Sequence, residues 1–254
     1  MQQVTGNGAT LVLNGVLSGG MLTFEMSFFR LPAGGGAAPT TPTDSNGTMV
    51  AAQVQAPILY DGSNYTGCDI WYEKNAASGT HTVTPPAENS KNCTLSEWSG
   101  ANTSEPLDVG ATAQSSDTGT SQVTGTTAST MQADELALIG MSLAAVTGNT
   151  DVGFTDPVAN YITQQKVVND FSNIATFHAY RILVGAGAQS ATFNWTYSEA
   201  NQGRQAAIVT FKAAMFVPAI RARGFTLQQV ADPEDEGRFN ELDVRNWWRE
   251  GLPA

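Results

Sequence analysis

Hydrophobic and polar residues alternate along residues 21–29: Leu22, Phe24, Met26 and Phe28 fall on one side, Thr23, Glu25 and Ser27 on the other. A period of two is the signature of a β-strand with one apolar face. The same rhythm marks strands at 9–16, 48–54, 66–73, 79–84 and 92–98. It resumes at 135–145, the best candidate for a central strand, and again at 164–168, 174–184, 190–196 and 205–212. No stretch shows a convincing amphipathic helix. Gly185-Ala186-Gly187-Ala188 reads as the turn of a hairpin between two of these strands. About ten to twelve short strands call for two packed sheets, because a single sheet would leave one apolar face wet.

Two segments break the rhythm. Residues 30–47 are rich in Gly and Pro and read as a long loop. Residues 102–130 are almost entirely Ser, Thr, Gly, Ala, Gln and Asp, and are expected to be an exposed excursion along the edge of the sandwich. No internal repeat is visible in the sequence. The composition changes after Ala214. Residues 216–254 hold five of the twelve basic residues and seven of the twenty-three acidic ones, together with Phe225, Trp247 and Trp248. The domain reading is therefore a β-sandwich over 1–215 and a C-terminal arm over 216–254, too short for a core of its own.

Charge and composition narrow the function. Apolar residues make up 41% of the 254-residue chain and charged residues 14%, with a net charge of −11. An acidic surface repels nucleic acid and anionic lipid, so neither is expected as a partner. The start, Met1 to Gly6, lacks a basic segment followed by an apolar run, and no apolar stretch approaches the roughly 20 residues of a membrane helix. The expectation is a protein made in the cytoplasm without a signal peptide. Cys68 and Cys93 lie in predicted strands outside any metal-ligand spacing and read as two buried small side chains, with their pairing left open.

Motifs that carry chemistry are scarce. There is no GxSxG elbow, phosphate loop, dinucleotide fingerprint or HExxH. The two histidines, His81 and His178, both fall in strands and read as structural. Glu73 and Glu97 sit in candidate neighbouring strands, where a carboxylate pair would suit glycoside hydrolysis only if both faced one cleft. Asp44-Ser45-Asn46-Gly47 is a turn that lacks the alternating ligands and closing glutamate of a calcium loop. Trp71, Trp98 and Trp195 are expected in the core, or, if exposed on a concave sheet, as a sugar platform. The reading is a non-enzyme with no cofactor and no metal.

Several signatures occur in a suggestive order: Asp44 to Gly47, Gly67-Cys68-Asp69-Ile70-Trp71-Tyr72, Ser78 to Thr84 and Leu95 to Gly100. Asp134 to Gly140, Ala191 to Trp195 and Ala206 to Lys212 follow. Over residues 5–213 this order resembles a diffuse family of jelly-roll sandwich domains of phage particles and bacterial surface proteins. The resemblance implies an all-β, two-sheet antiparallel jelly-roll sandwich with a short C-terminal extension. It also implies a role in the virion, as capsid decoration, fibre or tail component, with occasional glycan contact and no catalytic residues to carry over. The expected function is a virion structural protein, most simply a capsid decoration or surface protein. It would bind capsid or other virion proteins and form a homo-oligomer, a trimer or dimer. The alternative is a carbohydrate-binding module of a tail fibre or receptor-binding device. The arm lies outside the resemblance, and its Phe225, Arg245, Trp247, Trp248 and Arg249 are the expected partner contacts, being of the residue types that anchor interfaces.

Overall fold

A computed structural model describes residues 1–7, 10–144, 152–156, 158–167, 174–197 and 202–214. The chain divides into two units, Met1–Met215 and Phe216–Ala254. The second lies outside the described residues.

The described residues are antiparallel β throughout, with one 3-10 turn at Pro32–Gly34 and no α-helix. In chain order the strands are β1 (Gln2–Asn7), β2 (Leu11–Val16), β3 (Met21–Arg30), β4 (Thr43–Asp44), β5 (Val50–Gln53), β6 (Ile58–Leu59), β7 (Tyr65–Glu73), β8 (Gly79–Thr84) and β9 (Ser90–Trp98). The second half continues with β10 (Leu107–Asp117), β11 (Ser121–Val123), β12 (Leu136–Ala144), β13 (Ile162–Val167), β14 (Ile174–Ile182), β15 (Thr192–Asn194) and β16 (Gln202–Phe211).

They form two main sheets. The first runs β1-β9-β3-β7-β5, with β6 also on β7, and the second runs β10-β16-β12-β14-β13. Each main sheet carries a smaller cover sheet, β2-β8-β4 on the first and β11-β15 on the second. Apolar clusters fill the space under each cover. Leu11, Leu13 and Val83 meet Phe24, Met26, Trp71 and Leu95 in the first half. Phe193 and Trp195 meet Ile139, Met141, Phe177 and Ile208 in the second. The two main sheets then pack against each other through a third cluster containing Met21, Ile70, Trp98, Leu138, Val209 and Phe211. The all-β antiparallel sandwich expected from the alternation is observed, with four layers where two were expected.

The halves repeat one strand path. Replacing β1, β9, β3, β7 and β5 by β10, β16, β12, β14 and β13 converts the first main sheet into the second, and β2-β8 becomes β11-β15. The correspondence reaches single residues. Met26-Ser27 on β3 and Met141-Ser142 on β12 occupy the same place, with the methionine under the cover and the serine at the seam between halves. Ser27 donates to the Met141 carbonyl at 2.9 Å, and Ser142 lies 3.4 Å from the Phe28 carbonyl in near-reciprocal fashion. The absence of a sequence repeat therefore does not carry over to the structure. A strand is specified by a two-residue rhythm, which many unrelated sequences satisfy, so the path persists where residue identity does not.

Other expectations are corrected. The polar tract 102–130 contains the eleven-residue strand β10, which pairs with β16 from Leu107↔Phe211 to Asp117↔Gln202. An edge strand is held by main-chain hydrogen bonds on one side, so it forms with little apolar content. β1 was not legible for the same reason, being an edge strand on β9. The loop Gly185 to Ala188 joins β14 to β15, which lie in different sheets, so it turns a corner of the sandwich and closes no hairpin.

Candidate functional site

The polar face of β3 points into the seam. All ten residues of β3 are buried, because its second face meets the other main sheet. The seam is joined by side-chain hydrogen bonds. His178 Nε2 lies 3.0 Å from Ser27 Oγ, and its Nδ1 lies 2.9 Å from Thr94 Oγ1. The Ser27 hydroxyl also donates to the Met141 carbonyl and the Thr94 hydroxyl to Gln165 Oε1, so the ring is held between two hydroxyl groups that are themselves anchored. Burial drives the His178 pKa down to about 3. Thr66 and Ser142 hydroxyls are 2.6 Å apart, and Asn92 Nδ2 donates to Thr176 Oγ1 at 3.0 Å. The Cys68 amide donates to Gln205 Oε1 at 2.5 Å. Gly140 permits the close approach, since a Cβ there would lie 2.6 Å from Cys68 Sγ. Glu25 is also at the seam, fully buried, with no hydrogen bond to either carboxyl oxygen. Burial raises its pKa well above the usual carboxylate value.

Both cysteines are free and buried. On β3, Met26 pairs with Cys93 and Ser27 with Cys68, so the two thiols lie on opposite faces of the sheet with β3 between them and are not a bonding pair. Burial pushes the Cys93 thiol up to about 12 and the Cys68 thiol well above its ordinary value. Neither is poised as a nucleophile. Glu73 and Glu97 both flank Leu22, one from β7 and one from β9, so β3 separates them by roughly 10 Å. Glu97 accepts from the Leu17 amide at 2.7 Å. The two acids considered for glycoside hydrolysis are therefore not on neighbouring strands. Trp71, Trp98 and Trp195 are 1%, 7% and 4% exposed, so none offers a sugar platform. Phe225, Arg245, Trp247, Trp248 and Arg249 lie outside the described residues.

One constellation was not anticipated. Asp44 on β4, Glu73 at the end of β7 and His81 on β8 offer ligand atoms all within 4.8 Å of one another. Strand pairing brings them together: Asp44 is opposite Val83 on β8, and β7 belongs to the main sheet beneath. The Asp44 and His81 side chains are fully buried. Asp44 Oδ2 contacts His81 Nδ1, while His81 Nε2 donates to the Ala77 carbonyl at 2.9 Å. Burial, with the neighbouring Asp44 carboxylate, pushes Glu73 up to about 7. Burial opposes charge on His81, but the Ala77 carbonyl and the two acids outweigh it and raise its pKa. The sequence held a partial signal: alternation along Gly79 to Thr84 puts His81 on the same inward face as Val83. Nothing in the spacing of 44, 73 and 81 pointed to convergence, which depends on how three strands fold over one another.

Three exposed apolar side chains lie on two segments of the second half that run side by side. Met131, Ile182 and Val184 are 76%, 53% and 100% exposed. The Asp134 amide bonds to the Leu183 carbonyl, which holds their two segments side by side.

No family model matches this chain, and neither does any curated protein or solved structure.

Proposed function

We propose that this protein is a structural component of a virus particle, most simply a capsid decoration or other surface protein that binds neighbouring subunits. The observation that carries the reading is the tandem construction: two sandwiches of one strand path, joined by a buried seam into one body. In each half the first and last strands pair within the main sheet beside the third, while the second strand pairs in the cover. That winding supports reading each half as a jelly roll, and jelly rolls recur in viral capsid and lectin domains. The step from winding to role is an analogy at the level of the fold.

Further support comes from how the protein spends its side chains. His178 and both cysteines are buried inside the sandwich, and Met131, Ile182 and Val184 are exposed on two hydrogen-bonded segments, as a contact patch for neighbouring subunits would be. Assembly then rests on burial of that patch and on the arm 216–254, with Phe225, Arg245, Trp247, Trp248 and Arg249 as anchors in a closed dimer or trimer.

The test is sedimentation of a native lysate through a density gradient. The protein is expected to travel with megadalton particles, and deletion of 216–254 is expected to lower its occupancy on them. Recovery only in the light fractions would overturn the assignment. Saturable binding on a glycan array by that light form would favour a carbohydrate-binding role in its place.

A further inference from the structure

We propose that Asp44, Glu73 and His81 bind one divalent transition-metal ion, zinc by preference, which clamps the first cover sheet to the first main sheet. The inference rests on local geometry and is independent of the role proposed above. Two ligands come from the cover, on β4 and β8, and the third from β7 of the main sheet. An ion there would cross-link two layers otherwise joined by apolar contact.

Four observations point to a cation. First, the buried charge balances only if one carboxyl group keeps a proton or a cation is bound. Two carboxylates face one imidazole, which can supply at most one positive charge. Among the described residues neither Lys nor Arg makes an ion pair with Asp44 or Glu73. Second, Glu73 is 5% exposed, and its buried Oε2 has no hydrogen-bond partner. An orphaned carboxylate oxygen in such a place calls for a proton or a metal. Third, His81 is oriented as a ligand. Its Nε2–H is held by the Ala77 carbonyl at 2.9 Å, which turns Nδ1 toward the two acids. That is the outer hydrogen bond that metal-binding histidines use to fix their tautomer. Fourth, space is reserved around the acid. A Cβ on Gly47 would lie 2.0 Å from both Glu73 carboxyl oxygens, so the turn after Asp44 is shaped around that group.

The donor set selects the metal. One imidazole nitrogen with two carboxylate oxygens suits zinc and its first-row neighbours, and three protein ligands leave a position for water. Calcium needs six to eight oxygen donors and does not favour imidazole.

The full chain, freed of metal by dialysis against a chelator, would be titrated with zinc chloride by calorimetry and by thermal melting. One zinc per chain is expected. The melting temperature should rise by roughly 5 °C at a hundredfold excess over the dissociation constant. Calcium at the same concentration should give no rise. Glu73→Gln keeps the shape of the site and lets an amide donate to Asp44, so the metal-free variant should melt no lower than the parent. Its zinc affinity should fall by at least about tenfold, with the melting shift lost, and His81→Asn should do the same. Cobalt substitution reads the ligands without mutation. Absorption of a nitrogen- and oxygen-ligated ion supports the site, whereas a thiolate charge-transfer band would place the ion on a cysteine and overturn it. Absence of stoichiometric zinc, unchanged binding in both variants, or preference for calcium would each overturn it too.

Discussion

Glu25 and His178 show how one buried seam imposes opposite demands on two titratable groups. Glu25 has no partner for either oxygen and is held neutral by burial, which raises its pKa well above the usual value. The unfolded chain ionises at the ordinary carboxylate pKa and the folded one does not. Its contribution is therefore full below about pH 4.5 and is lost as pH rises toward the folded value. His178 is depressed to about 3, so the unfolded chain takes up a proton near pH 6.5 that the folded one refuses. Stability from His178 is full above about 6.5 and is lost as pH falls toward 3. The two slopes oppose each other between about 4.5 and 6.5, Glu25 alone lowers stability above that window, and His178 alone lowers it below. Glu25→Gln is expected to stabilise the protein at pH 7, with the gain disappearing near pH 4. Urea melts at the two pH values check this. An equal gain at both would mean that the carboxyl group is not held neutral.

At the scale of elements, the approach of β12 to β7 depends on Gly140. A Cβ there would meet Cys68 Sγ at 2.6 Å and the His178 ring at 3.4 Å, and both neighbours are fixed in buried strands. Gly140→Ala is expected to cost about 1–3 kcal/mol through overpacking. Cys68→Ala clears the nearer obstacle, so the double variant should recover most of that loss. The recovery is read as a coupling energy from a double-mutant cycle. Additive losses would mean that the two strands do not press on each other at this point. The strands themselves were legible to different degrees. β3, β7, β8, β9, β12, β14 and β16 carry a two-residue rhythm or a continuous apolar run, and the sequence places them within a few residues. β1 and β10 do not, because an edge strand needs a partner's main chain more than an apolar face.

At the scale of the whole molecule, the seam joins two halves that each possess a covered apolar core. Separating them would expose His178, Thr94, Ser27 and Thr176 with their hydrogen bonds broken, along with Ile70, Leu138 and Phe211. The described body is therefore expected to unfold in one transition, with calorimetric and van't Hoff enthalpies equal. His178→Ala should lower that single melting temperature without splitting it. Two separated transitions would show that the halves are independent domains in contact.

By itself, the sequence determined that this protein is all-β, where most of its strands run and which face of each is apolar. Local sterics and the two-residue alternation act within a strand and need no knowledge of its partners. It also marked His178 as a structural residue. Only the tertiary structure decided that Thr23, Glu25 and Ser27 are interior residues. Alternation tells the two faces of a strand apart, and a polar face can meet water or a second polar face equally well. The duplicated path and the meeting of Asp44, Glu73 and His81 were likewise decided by pairing between strands distant in sequence. Such pairing is set by the summed fit of whole sheets, and no single residue in the chain records it.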